Sequence, residues 1–451
     1  MATIQEDPNM QVDTDTTNDE ILLAATNHDL EALTKLLRTG SARIRDPDTG
    51  FSPLHAAIAS CEPDEDSKEE SVPAGDAVHG NALTEESALA TVRLLFENGA
   101  IWNELDNNDE TPGCMALRLG LKQVYEALVA AGVRAELLFN RLDGYQFLPD
   151  QADDEDEVME DEEIAGFEPS PADKPATNGQ TSGDAAVGVS GFEPAPNPST
   201  KIDGQAEAGA VPELTQTNEN GELSNPNVDN PAYLASKLTY SEGRLLDSDK
   251  NAVMMDWETE IMKTSADQLC PRKGLRTMNI GHGMGIVDRM FMENEPEMHY
   301  IVEAHPEVLQ HIRNTGWYEK KNVRVCEGRW QDVLPKLVAE GVVLDAMYYD
   351  TYAEDYSDLK ELFSEYVIQL LDSKGRFGFY NGLGADRQIC YDVYKRVSEI
   401  ELFDAGLDVE WTILQVPSLV GAWDGIRRPY WTVPEYHLPT CKFLSETESA
   451  P

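Results

Sequence analysis

An acidic, low-complexity segment divides this 451-residue chain into two parts that can fold. Residues 151–230 carry 19 Asp or Glu residues against two lysines, and Pro, Gly and Asn fill much of the remainder. Such a sequence cannot bury enough apolar surface to offset the entropy of ordering the chain. We therefore predict a disordered acidic linker over 136–229, between an amino-terminal and a carboxy-terminal domain.

The formal net charge of −48 limits the partners that the chain can bind. Nucleic acid and anionic membrane surfaces would be repelled, because phosphate contacts require Lys and Arg. A basic protein is the partner that this charge favours. The acidic linker could itself dock such a protein, but a solvated spacer explains the same composition and is the preferred interpretation.

Targeting signals are hard to find in this sequence. Its start, MATIQEDPNMQVDTD, lacks the basic residues and apolar run of a signal peptide, and no segment reaches the roughly 18 apolar residues that span a bilayer. Six cysteines lie far apart without a CxxC pair, which suits a reducing compartment and no structural zinc. We expect a cytoplasmic monomer; nuclear localisation stays open, since no clear basic import cluster occurs.

A repeat with the ankyrin period runs through the first third of the chain. VRLLFENGA (92–100) and YEALVAAGV (125–133) align at an offset of 33 residues, and matching segments begin around Pro53 and Pro112. These two prolines are too far apart for a single repeat. An acidic insertion at about 61–87 accounts for the excess.

The segment SPLHAA (52–57) resembles the start of an ankyrin repeat, in which the proline opens a helix and His55 bonds locally in the turn. About three repeats fit, which is near the minimum for a stable stack. We predict an all-α ankyrin-repeat stack over 18–135. Ankyrin stacks usually bind proteins, so this module is expected to recruit a partner or substrate.

From about residue 230 the chain alternates between helix-like and strand-like segments. The helices are expected at about 286–293, 306–314, 330–339, 358–371 and 386–398. The strands are expected near 277–281, 299–303, 322–326, 344–349, 376–380, 410–416 and 429–434. The alternation predicts an α/β, seven-stranded Rossmann-like domain over 230–446, with ligands above the carboxyl ends of its strands.

Three alternate glycines, Gly281, Gly283 and Gly285, follow the first of these strands in NIGHGMGIVD. Glycine allows positive φ and a close approach of the backbone to a ligand. Glu303, at the end of the next strand, can accept hydrogen bonds from both hydroxyls of a ribose. Neither a GK[ST] motif nor a nearby basic residue is present to hold phosphates. An adenosine ligand without phosphates is favoured, which points to S-adenosylmethionine.

The turn after the third strand, CEGRWQDVLP, offers residues for an adenine contact. In methyltransferases of this layout that turn places one polar and one apolar residue beside the base. The candidates are Glu327, Gly328, Arg329 and Trp330. For Trp330, a place in the hydrophobic core is equally compatible with the sequence.

Two carboxylates are predicted to converge where a methyl acceptor would bind. The fourth strand ends in LDAMYYDTYAED, which brings Asp350 and Tyr352 to the cleft. Residues 251–269 read as one amphipathic helix, with Trp257 and Glu258 near its start. A carboxylate pair suits a planar guanidinium, whose donors form a rigid fork. Alternatively, each carboxylate caps or solvates a helix end.

The motifs VMMDWETEIM, NIGHGMGIVD, IVEAHP, GRWQDVLP and YYDTYAED occur in this order and spacing. With them the chain resembles guanidinoacetate methyltransferase and, more closely, the arginine N-delta methyltransferases (type IV protein arginine methyltransferases), which join an ankyrin-type region, a variable linker and a catalytic domain. The resemblance covers about residues 230–445 closely and the first 135 in architecture. It implies methylation of arginine in a protein substrate, with a ribosomal protein as the expected class.

The resemblance also implies residue roles. Gly281, Gly283 and Glu303 match S-adenosylmethionine positions, Met255, Met284 and Trp330 would line that site, and Glu258 and Asp350 match acceptor-binding carboxylates. The complete predicted cofactor site is Met255, Gly281, Gly283, Met284, Gly285, Glu303, Glu327, Gly328, Trp330 and Asp350. The predicted acceptor site is Trp257, Glu258, Tyr352 and Asn381. His282 stands where the family is expected to have Phe, and Asn381 could equally form a turn.

The expected chemistry follows from the acceptor. In guanidinoacetate the methylated nitrogen carries the carbon chain, and its counterpart in arginine is the internal delta nitrogen. Guanidinium is protonated at neutral pH, so a carboxylate must accept the proton as nitrogen attacks the sulfonium methyl group. Asp350 is the predicted base and Glu258 the clamp, without a metal.

Two other functions fit parts of the sequence. The enzyme could methylate a small guanidino compound such as guanidinoacetate, although ankyrin repeats would add little there. Arg427 and Arg428 would favour this function if they anchored a free carboxylate, but they read as surface charges. Alternatively, the chain could be a noncatalytic ankyrin adaptor, against which the intact pair Glu258 and Asp350 weighs.

Overall fold

The computed structural model describes residues 16–63, 84–142 and 230–444. Most of the predicted linker and the middle of the predicted insertion lie outside the described residues. Before residue 143 the described chain forms six helices: α1 Thr17–Thr26, α2 Leu30–Leu36, α3 Pro53–Ala59, α4 Glu85–Glu97, α5 Pro112–Arg118 and α6 Lys122–Leu142. Two boundaries differ from the expected ones, because α4 begins inside the predicted insertion at 61–87 and α6 continues beyond residue 135.

Two prolines open helices in the amino-terminal part, as the repeat predicts. Pro53 and Pro112 begin α3 and α5, where the missing N–H of proline leaves no helical hydrogen bond unmade. His55 is fully buried, and it joins two turns: its Nδ1 lies 2.9 Å from the Ser52 hydroxyl and its Nε2 lies 3.0 Å from the Glu110 carbonyl oxygen. His55 therefore has the local structural role that the motif indicates.

The carboxy-terminal part begins with a helix and a small antiparallel sheet. These elements are α7 Asn230–Ala235, β1 Thr239–Ser241, β2 Arg244–Leu246 and β3 Ala252–Met255. The prediction of a single helix over 251–269 is wrong at its start. Residues 252–255 pair with β2, a 3-10 turn spans Asp256–Glu258, and only then does helix α8 run over Thr259–Leu269.

A seven-stranded sheet forms the centre of this domain. Its strands are β4 Arg276–Ile280, β5 Met298–Glu303, β6 Val323–Glu327, β7 Leu344–Tyr349, β8 Leu371–Phe379, β9 Leu407–Gln415 and β10 Glu435–Phe443. Their spatial order is β6, β5, β4, β7, β8, β10, β9. The first five strands in this order run parallel to one another, and β10 is antiparallel to β8 and β9. The predicted α/β sheet is thus confirmed.

Helices cover both faces of this sheet. They are α9 Ile286–Glu293, α10 Pro306–Asn314, α11 Trp330–Ala339, α12 Tyr356–Glu361, α13 Ile368–Leu370 and α14 Gln388–Asp404, with a π-helical turn at Leu362–Val367. Apolar residues of α8, α9 and α10 pack on one face, and those of α11 to α14 pack on the other. The carboxyl ends of the parallel strands stay open, and they form the site described below.

The predicted strand at 429–434 is wrong. These residues belong to an irregular segment between β9 and β10, and the last strand begins only at Glu435. The aromatic and β-branched composition reflects burial rather than strand pairing, because Trp431 and Val433 pack in a separate apolar cluster. The Trp431 indole N–H donates to the Val433 carbonyl oxygen at 2.7 Å, a contact within the segment itself.

The amino-terminal helices α5 and α6 pack directly on α14, whose side chains occupy the space that two glycines leave. A Cβ added to Gly113 would lie 1.9 Å from Ile389, and one added to Gly132 would lie 2.7 Å from Val393. The Tyr125 hydroxyl also donates to Asp392 across this interface, at 2.5 Å. Because Ile389 and Val393 are fully buried, the two parts share one apolar interface.

Candidate active site

The glycine loop after β4 brings the backbone close to two other elements. Gly281 has a φ of +94°, and a Cβ there would lie 1.9 Å from the Asp350 carbonyl oxygen. Gly283 has a φ of +52°, and a Cβ there would lie 2.7 Å from the Met254 methyl carbon. Gly285, with a φ of +68°, is the N-cap of α9. Only glycine fits such a turn without displacing its neighbours.

Backbone N–H groups hold the carboxylate of Glu303 at the end of β5. Its Oε2 accepts from the His282 N–H at 2.8 Å, and its Oε1 accepts from the N–H groups of Ala304 and His305 at 2.8 and 2.7 Å. The side chain is 8% exposed and faces the cleft. Each carboxylate oxygen has two lone pairs, so one lone pair, on Oε2, stays available for a hydrogen bond from a ligand.

A cleft opens above the carboxyl ends of β4, β5 and β7. This is the position at which an α/β domain binds a small ligand. Eight residues that the sequence singled out line it: Gly281, Gly283, Glu303, Gly328, Arg329, Trp330, Asp350 and Tyr352. Other lining residues were not predicted, among them Asn230, Tyr233, Met254 and Glu354.

Met254, and not Met255, lines the cleft. Consecutive side chains of a strand point to opposite faces, and both methionines lie in β3 rather than in a helix. The Met284 N–H donates to the Met254 sulfur at 3.2 Å. The Met284 side chain is itself beside a separate surface groove, which it shares with Trp317. If residues 252–255 are taken as a strand, in which alternate side chains share a face, Met254 is predicted to line the cleft.

The side chain of Glu327 points away from the cleft. Its Oε1 accepts hydrogen bonds from Arg313 and from the Tyr318 hydroxyl, both at 2.6 Å, on the protein surface. The backbone turns at the next residue, Gly328, which has a φ of +131° and lines the cleft. The prediction that Glu327 belongs to the site therefore does not hold for its side chain.

Asn381 is a structural residue of the sheet. Its Nδ2 donates to the Tyr391 hydroxyl and to the His437 carbonyl oxygen, both at 3.1 Å, and its N–H donates to the Tyr436 hydroxyl at 2.9 Å. These bonds join the end of β8 to α14 and β10. Asn381 is not among the residues that line the cleft. Of the two roles that the sequence left open, the structure favours the turn.

One wall of the cleft is held together by Glu354. Its carboxylate accepts from the Trp330 indole N–H at 3.0 and 3.1 Å and from the Tyr349 hydroxyl at 2.5 Å. Trp330 is 2% exposed, so it belongs to the core and also forms part of the cleft surface. The core position is one of the two roles that the sequence suggested for this indole, and the adenine contact stays a prediction.

Asp350 lies at the floor of the cleft with one unpaired oxygen. Its Oδ2 is buried and has no hydrogen-bond partner among the residues of the described ranges. Burial, followed by the nearby carboxylate of Glu258, raises the pKa of Asp350 well above its usual range. A buried carboxyl group without a partner indicates a place for a cationic or donor-rich ligand.

Glu258 is the second buried carboxylate, and two phenols contact it. Its Oε1 accepts from the hydroxyls of Tyr380, at 3.1 Å, and Tyr430, and its Oε2 accepts from the Met255 N–H at 3.3 Å. Burial raises the pKa of Glu258 to about 7, although these hydrogen bonds act to lower it. Trp257 lies beside it, and the indole N–H donates to the Tyr430 hydroxyl at 3.1 Å.

His282 points into the protein rather than into the cleft. Its Nδ1 lies 2.7 Å from Asp288, whose other oxygen lies 2.8 Å from His299 Nε2. Asn279 also donates to Asp288, at 2.9 Å. Although burial acts to raise it, the pKa of Asp288 lies well below its usual range because both histidines contact the carboxylate. His282 thus anchors the glycine loop to α9 from behind.

A seven-stranded sheet of this order, with a glycine loop after β4 and a buried glutamate ending β5, defines a Rossmann-like methyltransferase fold. Residues 232–401 match the family model for guanidinoacetate N-methyltransferase. Protein arginine N-methyltransferase 2 of Aspergillus fumigatus is 50% identical over 440 residues, which cover 95% of this chain and 97% of the relative. Its counterpart in Emericella nidulans is 48% identical over 450 residues, covering 97% and 99%. The chain therefore belongs to the protein arginine N-methyltransferase 2 family, as the sequence motifs indicated.

Proposed function

We propose that this protein transfers a methyl group from S-adenosylmethionine to the internal delta nitrogen of arginine in a protein substrate. The observation that carries this proposal is a pair of carboxyl groups beside the glycine loop: Glu258 is buried, and the Oδ2 atom of Asp350 is buried without a hydrogen-bond partner in the described ranges. Two carboxylates are complementary to one guanidinium group. The names of the relatives, protein arginine N-methyltransferase 2, support the same acceptor.

The cleft fits S-adenosylmethionine in three respects. Gly281 and Gly283 line the cleft at the amino end of α9, Glu303 can accept a hydrogen bond from a ribose hydroxyl through Oε2, and Trp330 offers an apolar surface to adenine. When bound, this cofactor supplies an electrophilic methyl group on sulfur. Met254, which lines the cleft at Gly283, would contact the methionine part of the ligand.

Asp350 and Glu258 have different roles in this proposal. Asp350, whose Oδ2 is unpaired, accepts the proton that the guanidinium loses as its delta nitrogen attacks the methyl carbon and the carbon–sulfur electron pair leaves with sulfur. Glu258, held by two phenols, binds the terminal nitrogens and orients them. Tyr352 and Trp257 border the acceptor. Positioning and charge complementarity then supply most of the rate.

The six amino-terminal helices are assigned as an ankyrin-repeat stack that recruits the substrate. The 33-residue offset, the proline-initiated helices α3 and α5 and the turn histidine His55 support this assignment. The net charge of −48 favours a basic protein, and the family resemblance favours a ribosomal one. A cytoplasmic location, with the nucleus open, a monomeric state and the lack of a metal requirement stay predictions.

A second candidate is methylation of a small guanidino compound, which the match of residues 232–401 to guanidinoacetate N-methyltransferase favours. An experiment with both acceptor classes separates the two. The full-length protein is incubated with labelled S-adenosylmethionine and either guanidinoacetate or basic proteins from cells that lack this enzyme. Label in protein from wild type but not from Asp350→Ala is the expected result. Label only in guanidinoacetate would favour the second candidate, and no transfer to either would favour a noncatalytic adaptor.

A further inference from the structure

Two separate elements of the catalytic domain donate hydrogen bonds to Oε1 of Glu258. Tyr380 follows β8, whereas Tyr430 lies in residues 416–434, the segment between β9 and β10. Both hydroxyls donate to the same oxygen of Glu258. We propose that Tyr430 is a positioning residue for the acceptor carboxylate, and that the segment 416–434 thereby completes the acceptor site. This inference rests on the proposed function, because it needs Glu258 to bind the guanidinium.

The Tyr430 ring is fixed by aromatic neighbours. It packs edge-on against Trp423, with ring centroids 4.9 Å apart, and lies 6.0 Å from the ring of Trp257. The Trp257 indole N–H donates to the Tyr430 hydroxyl oxygen at 3.1 Å, so that hydroxyl can give its own proton only to Glu258. In this series of hydrogen bonds, Trp257 therefore donates to Tyr430, and Tyr430 donates to Glu258.

Polar contacts attach the segment 416–434 to two regions of the site. Arg428 pairs with Asp386 at 2.7 Å, in the loop that follows Tyr380. On the other side, Arg244 donates to the Asp424 carbonyl oxygen at 2.7 Å. Arg244 lies in β2, which pairs with β3, the strand that carries Met254. The segment thus connects the acceptor carboxylate with the strand that lines the cofactor cleft.

The segment also lies outside the part of the chain that matches guanidinoacetate N-methyltransferase, which ends at residue 401. The carboxylate Glu258 lies inside the matched part, and Tyr430 lies beyond it. No signal in the motifs around Glu258 indicates Tyr430. The two residues meet only because β9 and β10 return the chain to the open end of the sheet.

The hydroxyl of Tyr430 should matter most for the ionised form of Glu258. The groups that face Glu258 are Asp256 on its own turn, Tyr348 and Asp350 from β7 and its end, and the two phenols Tyr380 and Tyr430. Asp256 and Asp350 disfavour a negative charge there, whereas the phenol donors favour it. Loss of one donor therefore reduces the fraction of Glu258 that is ionised at neutral pH.

The test compares full-length wild type with Tyr430→Phe, which keeps the ring and removes only the hydroxyl. Tyr318→Phe is the matched control, because the Tyr318 hydroxyl also donates to a glutamate, Glu327, but on the surface. Acid-extracted basic proteins from cells lacking the enzyme serve as acceptor. We expect Tyr430→Phe to raise the apparent KM for this acceptor about tenfold, as for loss of a hydrogen bond to a charged group. Affinity for S-adenosylmethionine, measured by equilibrium dialysis, should stay within twofold of wild type.

The pH profile distinguishes positioning from a general loss of structure. With Tyr430→Phe the acidic limb of kcat/KM should move to higher pH, by about one unit, since Glu258 loses a donor that favours its ionised form. Tyr318→Phe should match wild type. If Tyr430→Phe folds poorly, Trp257→Phe, which removes the donor to Tyr430, should shift the limb in the same direction.

Three outcomes would overturn the inference or its basis, and they can be told apart. Unchanged KM and pH profile in Tyr430→Phe, with an active wild type, would contradict the role of Tyr430 alone. A lower kcat and a lower melting temperature without a change in KM or pH profile would show a structural role only. No methyl transfer by wild type would instead remove the proposed function on which the inference rests.

Discussion

Gly281 lies against the backbone of Asp350, so closely that a Cβ on Gly281 would be 1.9 Å from the Asp350 carbonyl oxygen. The Asp350 N–H donates to the carbonyl oxygen of Ile280 at 2.9 Å, one residue before this contact. The glycine loop of the proposed cofactor site and the proposed base are therefore parts of one rigid unit. A change in the loop must displace the base as well.

This contact predicts that Gly281→Ala is far more damaging than a glycine substitution elsewhere. Gly274 is the control, because its φ is +73° but no atom lies within 4 Å of an added Cβ. Gly274→Ala should lower the free energy of unfolding by about 1 kcal/mol. Gly281→Ala should cost roughly 1–3 kcal/mol more and weaken S-adenosylmethionine binding at least about tenfold. Denaturant titration and equilibrium dialysis measure both effects, and equal losses in the two variants would contradict the close contact.

Glu303 and Glu327 were both predicted to bind the cofactor, but their substitution should have different effects on S-adenosylmethionine binding. Glu303 accepts three backbone N–H groups in the cleft, whereas Glu327 pairs with Arg313 and Tyr318 on the surface. Glu303→Gln puts an amide N–H against those donors and should weaken S-adenosylmethionine binding by about tenfold or more. Glu327→Gln should change binding less than about twofold. A similar loss in both variants, by the same dialysis measurement, would restore Glu327 to the site.

The raised pKa of Asp350 predicts that a neutral replacement stabilises the ligand-free protein. The folded state holds a proton that the unfolded chain releases near pH 4, so the free energy of unfolding falls as pH rises through the carboxyl range and above. Asp350→Asn should therefore lose activity. At pH 8 its free energy of unfolding should be higher than that of wild type by about 1 kcal/mol, which raises the melting temperature by roughly 2–4 °C. The difference should shrink toward pH 5.

Asp345 lies in β7, the strand that ends just before Asp350, and is a control for which the opposite effect is expected. Its hydrogen bonds to Arg276, at 2.8 Å, lower the pKa of Asp345, which contributes stability above the unfolded value that is lost as pH falls. Asp345→Asn should lower the melting temperature at pH 8 and approach wild type in acid. Calorimetry over this pH range tests both variants; destabilisation by Asp350→Asn at pH 8 would mean that its carboxylate is satisfied in the folded protein.

The interface between α6 and α14 predicts that the catalytic domain alone is less stable than the full chain. A fragment beginning at residue 230 exposes Ile389 and Val393, which are fully buried in the full-length protein. The fragment should unfold several degrees lower and associate at micromolar concentration. Light scattering and thermal unfolding measure this. An equally stable, monomeric fragment would mean that the interface adds nothing, and full turnover of protein substrate by it would argue against recruitment by the helices.

The sequence predicted those site residues whose position follows from the order of the elements. Gly281 and Asp350 each follow a strand of the parallel sheet, Glu303 is the last residue of another, and parallel strands end at one edge. The alternation of strands and helices was sufficient to bring them together. The same argument correctly placed Gly328 after the third strand.

Residues whose role depends on side-chain direction were harder to predict. Met254 and Met255 lie on opposite faces of a strand of only four residues. Such a strand is too short for its two-residue periodicity to be recognised beside the helical pattern that follows it. Tyr430 was assigned to a strand because aromatic and β-branched residues surround it. Its contact with Glu258 depends on the path of an irregular segment, which local sequence does not determine.

The most direct test of the proposed function is the position of the new methyl group on arginine. Substrate protein methylated by wild type is hydrolysed, and the methylarginine is fragmented in a mass spectrometer. We predict a methyl group on the internal delta nitrogen, absent from material treated with Asp350→Ala. A methyl group on a terminal nitrogen would contradict the proposed orientation of guanidinium between Glu258 and Asp350.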